Sequence, residues 1–491
     1  MTVTQLRAAL TALVLAASAA RAQTTPTPEP ETPKPVPSAP PLAPAPTVPT
    51  PTHAPVATTP APTAPVAPAA TGDFKDVISK FDLTLYGFAE LDSIFDSTQS
   101  LNDLAGNPVI AKAGTYAGDH GRVTFSVRNS RIGFKLKAPA VLGIKSSATI
   151  EADFFGNQPG SPNTAISEGA FFANPGLRVR HAYLKLESDV VDVTLGQTWN
   201  LFGWQPYFFP NTADLQGLPG QLFQRTPQIR VSHTFKTDPV NIEIAAAANR
   251  PAQRDAAVPD GVGGVRVFLN DVTGYHTITA TTSQVDALAL GISGIARRFD
   301  VPEFKAAPKG DLQTVGYGVS ADVFVPVIPA SKSNHDNALS LMGEIVYGNG
   351  TSDGYAGFNA GASFPTLPNP AAASPAPAYI PDVDNGLLSF TPGGAPQTIQ
   401  WSTALAGVQY YVPGDMFWLS GTISYAQSDN VKDFGAAAKV YDKMLFAEGS
   451  LWCDVTSAVR LGLAYDFYHD TFADDSDATN HRVQLSAFFI F

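Results

Sequence analysis

A chain of 491 residues with 43 Asp and Glu against 31 Lys and Arg carries a formal net charge of −12, which argues against nucleic acid as a partner. A single cysteine, Cys453, excludes an internal disulfide framework. Mean hydropathy near zero would be odd for a helical membrane protein and suits strands that average one apolar face with one polar face.

Residues 1–22 read as a secretory signal peptide. Arg7 supplies the charge, Ala8 to Ala20 is apolar, and Ala20-Arg21-Ala22 is a small-x-small cleavage site. The apolar run is shorter than the roughly 20 residues a membrane-spanning helix needs, and no other long apolar run follows. Residues 23–72 hold 17 of the 42 prolines, among Ala and Thr with almost no charge. They cannot pack a core and are expected to form a disordered, polyproline-II-like tether in the periplasm. A spacer is the plain expectation; an arm that meets peptidoglycan is the alternative. Residues 73–80 leave room for a short helix or lead-in.

From 81 to 491 the texture changes to short period-2 alternation broken by turns. Sixteen segments follow in order: 81–95, 121–137, 144–156, 176–187, 190–199, 225–236, 240–250, 262–270, 284–299, 311–325, 337–349, 398–412, 415–429, 440–453, 457–469 and 481–491. Several connections are tight, as at Ser188-Asp189, Thr237-Asp238-Pro239, Pro413-Gly414 and Asp454-Val455-Thr456. Others are long, notably 96–120, 157–175, 200–224 and 350–397. With the first strand rising from the periplasm, every tight turn falls on the periplasmic side, which is the habit of bacterial outer-membrane barrels. The fold class expected is all-β: an antiparallel transmembrane β-barrel of about 16 strands, with 14 or 18 compatible because 262–299 is weakly patterned. The final segment places Val483, Leu485, Ala487, Phe489 and Phe491 on one face and resembles the terminal signal read by the barrel-assembly machinery. The expected setting is outer-membrane lipid of a Gram-negative cell.

If apolar residues face lipid, their alternating partners face the lumen. Charges on the lipid face near the midplane cost about 2–4 kcal/mol for Arg or Lys. Arg131, Lys135, Arg178, Arg180, Arg225 and Arg230 are therefore expected inside, on one wall built by strands two apart in order. Guanidinium groups grip carboxylate or phosphate oxygens in pairs, and such ladders favour anions. The competing expectation is a balanced lumen, in which Glu151 and Asp153, with Glu90 and Asp92, neutralise the arginines. Residues 200–224 form a third long loop rich in aromatics, Gly and Pro. An inward fold would bring Trp199, Trp204, Tyr207 and Asp214 to a constriction; a cap on the rim is the alternative.

The runs Arg128-Asn-Ser-Arg-Ile-Gly-Phe, Ala148-Thr-Ile-Glu-Ala-Asp-Phe-Phe-Gly, Leu177-Arg-Val-Arg-His-Ala-Tyr, Leu195-Gly-Gln-Thr-Trp-Asn-Leu-Phe and Arg225-Thr-Pro-Gln-Ile-Arg resemble the DcaP-like porin family across about 120–236. Parts also look like phosphate-selective porins. The resemblance implies a 16-stranded homotrimeric channel for small anions such as dicarboxylates, with Arg131, Arg178, Arg180 and Arg230 lining the pore. The N-terminus departs from the family, since the Pro-rich tether stands where members can carry a predicted coiled coil.

Rival functions find less support in the residues. His181 and His233 lie in expected strands outside any nucleophile motif, so an enzyme is not expected. The remaining histidines are scattered and the cysteine is alone, so no metal or cofactor is expected. A soluble secreted β-protein or a structural linker to the cell wall is favoured by the tether and opposed by the turn asymmetry.

Overall fold

The computed structural model of the protein describes residues 81–103, 109–156, 175–213, 217–278, 280, 284–305, 308–330, 334–356, 361–365, 382–414, 416–438 and 440–491. The expected signal peptide, tether and lead-in (1–22, 23–72 and 73–80) lie outside these residues, as does Asp214.

The alternation read in the sequence becomes strands. In chain order they are β1 (Asp82–Asp96), β2 (Arg122–Ser126), β3 (Arg131–Lys137), β4 (Lys145–Gly156), β5 (Gly176–Glu187), β6 (Asp192–Trp199), β7 (Arg225–Lys236) and β8 (Val240–Asn249). There follow β9 (Asp260–His276), β10 (Gln284–Pro302), β11 (Asp311–Ile328), β12 (Leu339–Asn349), β13 (Leu388–Phe390) and β14 (Pro396–Thr398). The last five are β15 (Gln400–Tyr411), β16 (Phe417–Gln427), β17 (Tyr441–Asp454), β18 (Val459–Phe472) and β19 (Asp477–Ile490). No helix among the described residues is long and apolar enough to cross a membrane.

Successive strands pair antiparallel all the way round, and β1 closes the ring by pairing with β19. β2 and β3 both pair with β1 and form one interrupted stave, so the closed barrel has 16 staves; β13 and β14 form a separate hairpin. The weakly patterned stretch resolves into two long strands, β9 and β10, whose register shifts between Ala287 and Leu288.

In β16, Leu419, Ile423 and Tyr425 are exposed on the outer face, while Trp418, Ser420, Thr422 and Ser424 are buried within. The same phase runs round the ring, with Leu85, Leu91, Ile150, Val179, Ile229, Ile292, Val319 and Ile345 all on the outside. This is a soluble protein inverted, apolar outward and polar inward, as a bilayer requires.

At the end where β1 begins, the connections are 138–144, 188–191, 237–239, 277–283, 329–338, 412–416 and 455–458. At the other end lie 97–121, 157–175, 200–224, 250–259, 303–310, 350–399, 428–440 and 473–476. The expected asymmetry fails at one place. The connection 473–476 is a tight turn on the long-loop side, closed by the Phe472 N–H donating to the Ser476 carbonyl at 2.8 Å, with Asp475 at φ 62. Asp tolerates the left-handed region better than most residues, so a turn forms there without glycine.

Candidate functional site

The inward rungs of β3, β4 and β5 bring the sequence's charged residues together. Arg131 stands in register with Asp153, and Asp153 with Arg178. One rung below, Glu151 faces His181. The register then slips between Glu151 and Ala152, so β5 carries one extra residue and both Arg180 and His181 turn inward. Such a bulge re-aims a side chain without breaking the sheet.

Arg180 lies between the two carboxylates, its Nε 2.6 Å from Glu151 Oε1 and its Nη1 3.0 Å from Asp153 Oδ2. Arg178 grips Asp153 with a fork, Nε to Oδ1 at 2.9 Å and Nη2 to Oδ2 at 2.6 Å. Arg131 is looser, with its Nε 3.6 Å from Glu151 Oε1. The Tyr86 hydroxyl donates to Glu151 Oε2 at 2.9 Å, and Lys135 Nζ sits 4.6 Å from the Tyr86 ring centre.

Arg225 enters from β7 and is held by rings instead of acids. Its guanidinium carbon is 4.6 Å from the Trp199 ring centre and 5.6 Å from that of Phe223, and its buried Nη1 has no hydrogen-bond partner among the described residues. Arg230 donates to Gln228 Oε1 at 2.9 Å and to the Trp199 carbonyl. Three guanidiniums, those of Arg131, Arg178 and Arg180, thus share two carboxylates, Glu151 and Asp153, and Arg225 stands beside them without an ion pair among the described residues. Of the other expected neutralisers, Asp92 accepts from Ser486 Oγ at 2.6 Å, while Glu90 lies 3.5 Å from Asn129 Nδ2 and within electrostatic reach of Arg131.

Residues 200–213 and 217–224 fold into the barrel. The stem is tied by the Asn200 N–H donating to the Gln224 carbonyl at 2.9 Å. From there the loop crosses to the far wall. Gly203 N–H donates to Ser293 Oγ at 2.7 Å, Trp204 Nε1 to the Ile292 carbonyl at 3.0 Å, and Leu222 N–H to Glu344 Oε1 at 2.9 Å. Further round, Asn211 Nδ2 donates to Ser420 Oγ at 3.1 Å, Ala213 N–H to Glu448 Oε1 at 3.2 Å, and the Thr212 hydroxyl to Glu448.

The wall is shaped to receive it. A Cβ built on Gly318 would lie 2.6 Å from Phe202, one on Gly291 2.8 Å from Trp204, and one on Gly407 2.6 Å from Pro210. These inward glycines are sockets for loop side chains. Trp204 itself has φ 47, a backbone region unusual for a bulky residue, and is held there by its indole bond and by burial.

Among the sequence's constriction residues, Trp199 stays at the foot of the arginine wall and Tyr207 faces Arg266, whose guanidinium carbon is 3.6 Å from its ring centre. Trp204 is packed into the far wall, where only 2% of it is exposed. Beside Tyr207 a cavity of about 470 Å³ is lined by Arg266, Phe268, Asn270, Thr273 and Asp286. Arg266 is tied to Glu243 at 2.8 Å. Arg178, Tyr183, Lys185, Arg230, Glu243 and Arg266 on β5 to β9 remain partly exposed, whereas Asp322, Glu344 and Glu448 across the barrel are buried. The β5 to β9 side is the more open side of the lumen.

Arg266, Glu344 and Glu448 were missed by sequence reasoning. Each occupies the inward phase of its strand, which was readable; what each touches depends on loop residues up to 236 positions away.

The barrel has counterparts among solved structures. The outer-membrane channel DcaP of Acinetobacter baumannii superimposes with a TM-score of 0.59 over 84% of this chain and 98% of its own, at 17% identity. The barrel has the fold of that channel. Looser likenesses include the trimer form of OmpT from Vibrio cholerae (TM-score 0.46, 10% identity, 84% of this chain and all of that one). An anion-selective porin from Comamonas acidovorans is similarly distant (0.46, 11%, 84% and 100%). No protein-family profile and no curated protein matches the sequence.

Proposed function

We propose that the protein is a Gram-negative outer-membrane porin through which small hydrophilic solutes diffuse passively, with a preference for anions of the dicarboxylate kind. One observation carries the sign of that preference. Arg131, Arg178 and Arg180 pair with two carboxylates on the arginine wall, Arg225 beside them pairs with none, and Arg131 and Arg225 each bury a nitrogen that has no hydrogen-bond partner among the described residues. Meanwhile Glu344 and Glu448 on the far wall accept N–H groups of the loop that covers them. Acids that would balance the field are turned away from the path, and the surplus positive charge faces it.

Residues 1–22 act as the export signal and 23–72 as a periplasmic linker, the chain assembles as a homotrimer, and Phe491 ends the strand offered to the assembly machinery. No enzymatic step is assigned. Planar-bilayer recording across a KCl gradient tests the reading. Conductance in groups of three with a chloride-favouring reversal potential is expected, with succinate and phosphate then compared as blockers. A cation-favouring potential would sink the arginine argument while keeping the porin. Folded barrel that conducts nothing would sink the channel.

A further inference from the structure

Beneath the inward loop, two carboxylates share one rung. Asp322 on β11 and Glu344 on β12 stand directly in register. Opposed side chains on neighbouring strands lie about 5 Å apart at Cβ, where like charges repel. Both residues are buried, Asp322 to 1% exposure. The two carboxyl groups are within hydrogen-bond reach of each other; beyond that, among the described residues Asp322 Oδ1 has no hydrogen-bond partner and no Lys, Arg or His forms an ion pair with either carboxylate.

The surrounding groups leave the charge uncompensated. Along the same rung Asp322 faces Gly291 of β10, and Gly291 faces Arg266 of β9. The space over Gly291 is filled by Trp204 and Phe208, which stand between Arg266 and the acids, and Arg266 is already bound to Glu243. Higher on β10, Arg297 is engaged by Asp260 at 3.0 Å and by Asp353. On the other side Glu344 faces Leu405 of β15. Among the described residues the loop contributes the Leu222 N–H to Glu344 Oε1.

What does converge on the pair is oxygen. Ser320 Oγ donates to Asp322 Oδ2 at 3.2 Å and lies 2.8 Å from Ser293 Oγ, which in turn accepts the Gly203 N–H. Two buried carboxylates and the Ser320 hydroxyl, with Ser293 one hydrogen bond further out, form a hard-oxygen donor set of the kind that suits Ca²⁺ or Mg²⁺ and not a soft metal. We propose that Asp322 and Glu344, with Ser320, hold a divalent cation that clamps the inward loop to the far wall. The ion neutralises the pair, and one of its ligands, Glu344, also binds the loop at Leu222, while Ser320 reaches the loop at Gly203 through Ser293. The site goes beyond the porin reading and stands whichever ion the pore prefers.

Trp204 lies over the same rung, so Tb³⁺ bound there would be excited through the indole. Full-length protein stripped with EDTA and titrated with Tb³⁺ is expected to give saturable sensitised emission that Ca²⁺ displaces. Asp322→Asn and Glu344→Gln, both close in shape to the originals, are expected to weaken that binding at least about tenfold. Asp474→Asn, on an exposed turn, is expected to leave it unchanged. Emission that does not saturate in the original protein overturns the proposal and leaves a proton shared between the carboxylates. An unchanged titration in the double variant also overturns it. Should the double variant fail to fold, the titration of the original protein and of Ser320→Ala carries the test. The readout is optical, so a barrel that conducted nothing would still report the ion.

Discussion

Arg180 and Arg225 stand within one cluster yet have opposite dependencies. Arg180 sits between Glu151 and Asp153, so replacing it by Gln leaves two buried carboxylates short of a partner; breaking buried pairs of this sort costs about 3–5 kcal/mol. Arg225 rests on Trp199 and Phe223 with no carboxylate beside it. Arg225→Gln is therefore expected to leave the unfolding temperature nearly unchanged. It should shift the reversal potential toward cations and weaken succinate block by roughly tenfold, the worth of one charge-assisted contact. Arg180→Gln is expected to show the reverse balance, with stability lost first. Thermal unfolding followed by gel migration, together with bilayer recording, separates the two. Equal thermal losses in both variants would mean that Arg225 is structural. The inward direction of these side chains was legible because Ile132, Phe134, Leu177, Val179, Ile229 and Val231 alternate with them. The bulge that turns both Arg180 and His181 inward was not, since nothing in Arg178-Val179-Arg180-His181 signals an extra residue.

The loop 200–224 belongs to the next scale, and its position is a contest between loop entropy and the far wall. Fixing each backbone residue costs about 1–2 kcal/mol, so the loop stays inside only if many contacts hold it. Glu448 supplies one anchor through Thr212 and Ala213, and Gly318 supplies a socket for Phe202. Glu448→Ala removes the acceptor and leaves a buried N–H and hydroxyl unsatisfied, at about 1–3 kcal/mol each. Gly318→Val forces a methyl group against the Phe202 ring, a cost of about 1–3 kcal/mol that a shift of the loop relieves. Both variants are expected to raise single-channel conductance and weaken anion preference while the barrel still folds. Unchanged conductance in both would show that the loop does not set the width. The sequence marked this segment by its aromatic, Gly and Pro content and pointed it inward. Its course could not be read, because partners such as Glu448 and Ser420 lie on strands more than 200 residues later.

For the whole molecule the decisive element is the seam. β1 and β19 are the ends of the chain of strands, and their pairing must close the ring without help from a turn. Gly87 and Phe491 exchange both backbone hydrogen bonds, at 2.9 and 3.0 Å. Inside, Arg482 Nε and Nη2 fork onto Asp96 at 2.9 and 3.0 Å, and Asn480 Nδ2 adds a third contact at 3.0 Å. Asp96→Ala removes the carboxylate that all three share. It is expected to lower stability by about 3 kcal/mol or more, seen as a drop in the temperature at which the folded gel band disappears. A band as heat-resistant as the original would place the strength of the seam in its backbone ladder alone. The sixteen staves themselves were nearly all legible, because period-2 alternation with one face in lipid leaves each strand a single phase. The tight turn at 473–476 was not, since Asp474-Asp475-Ser476 reads equally well as part of a longer acidic loop.

The sockets at Gly291, Gly318 and Gly407 have an electrical consequence. A free loop of this length moves on the nanosecond-to-microsecond scale and would flicker the current through any opening it borders. Rings seated in a wall that has no side chain to yield are denied that motion, so the border that this loop gives the path behaves as a fixed resistor. The open-channel trace should then be quiet, with noise close to the thermal floor, and should grow noisy only when a socket is filled.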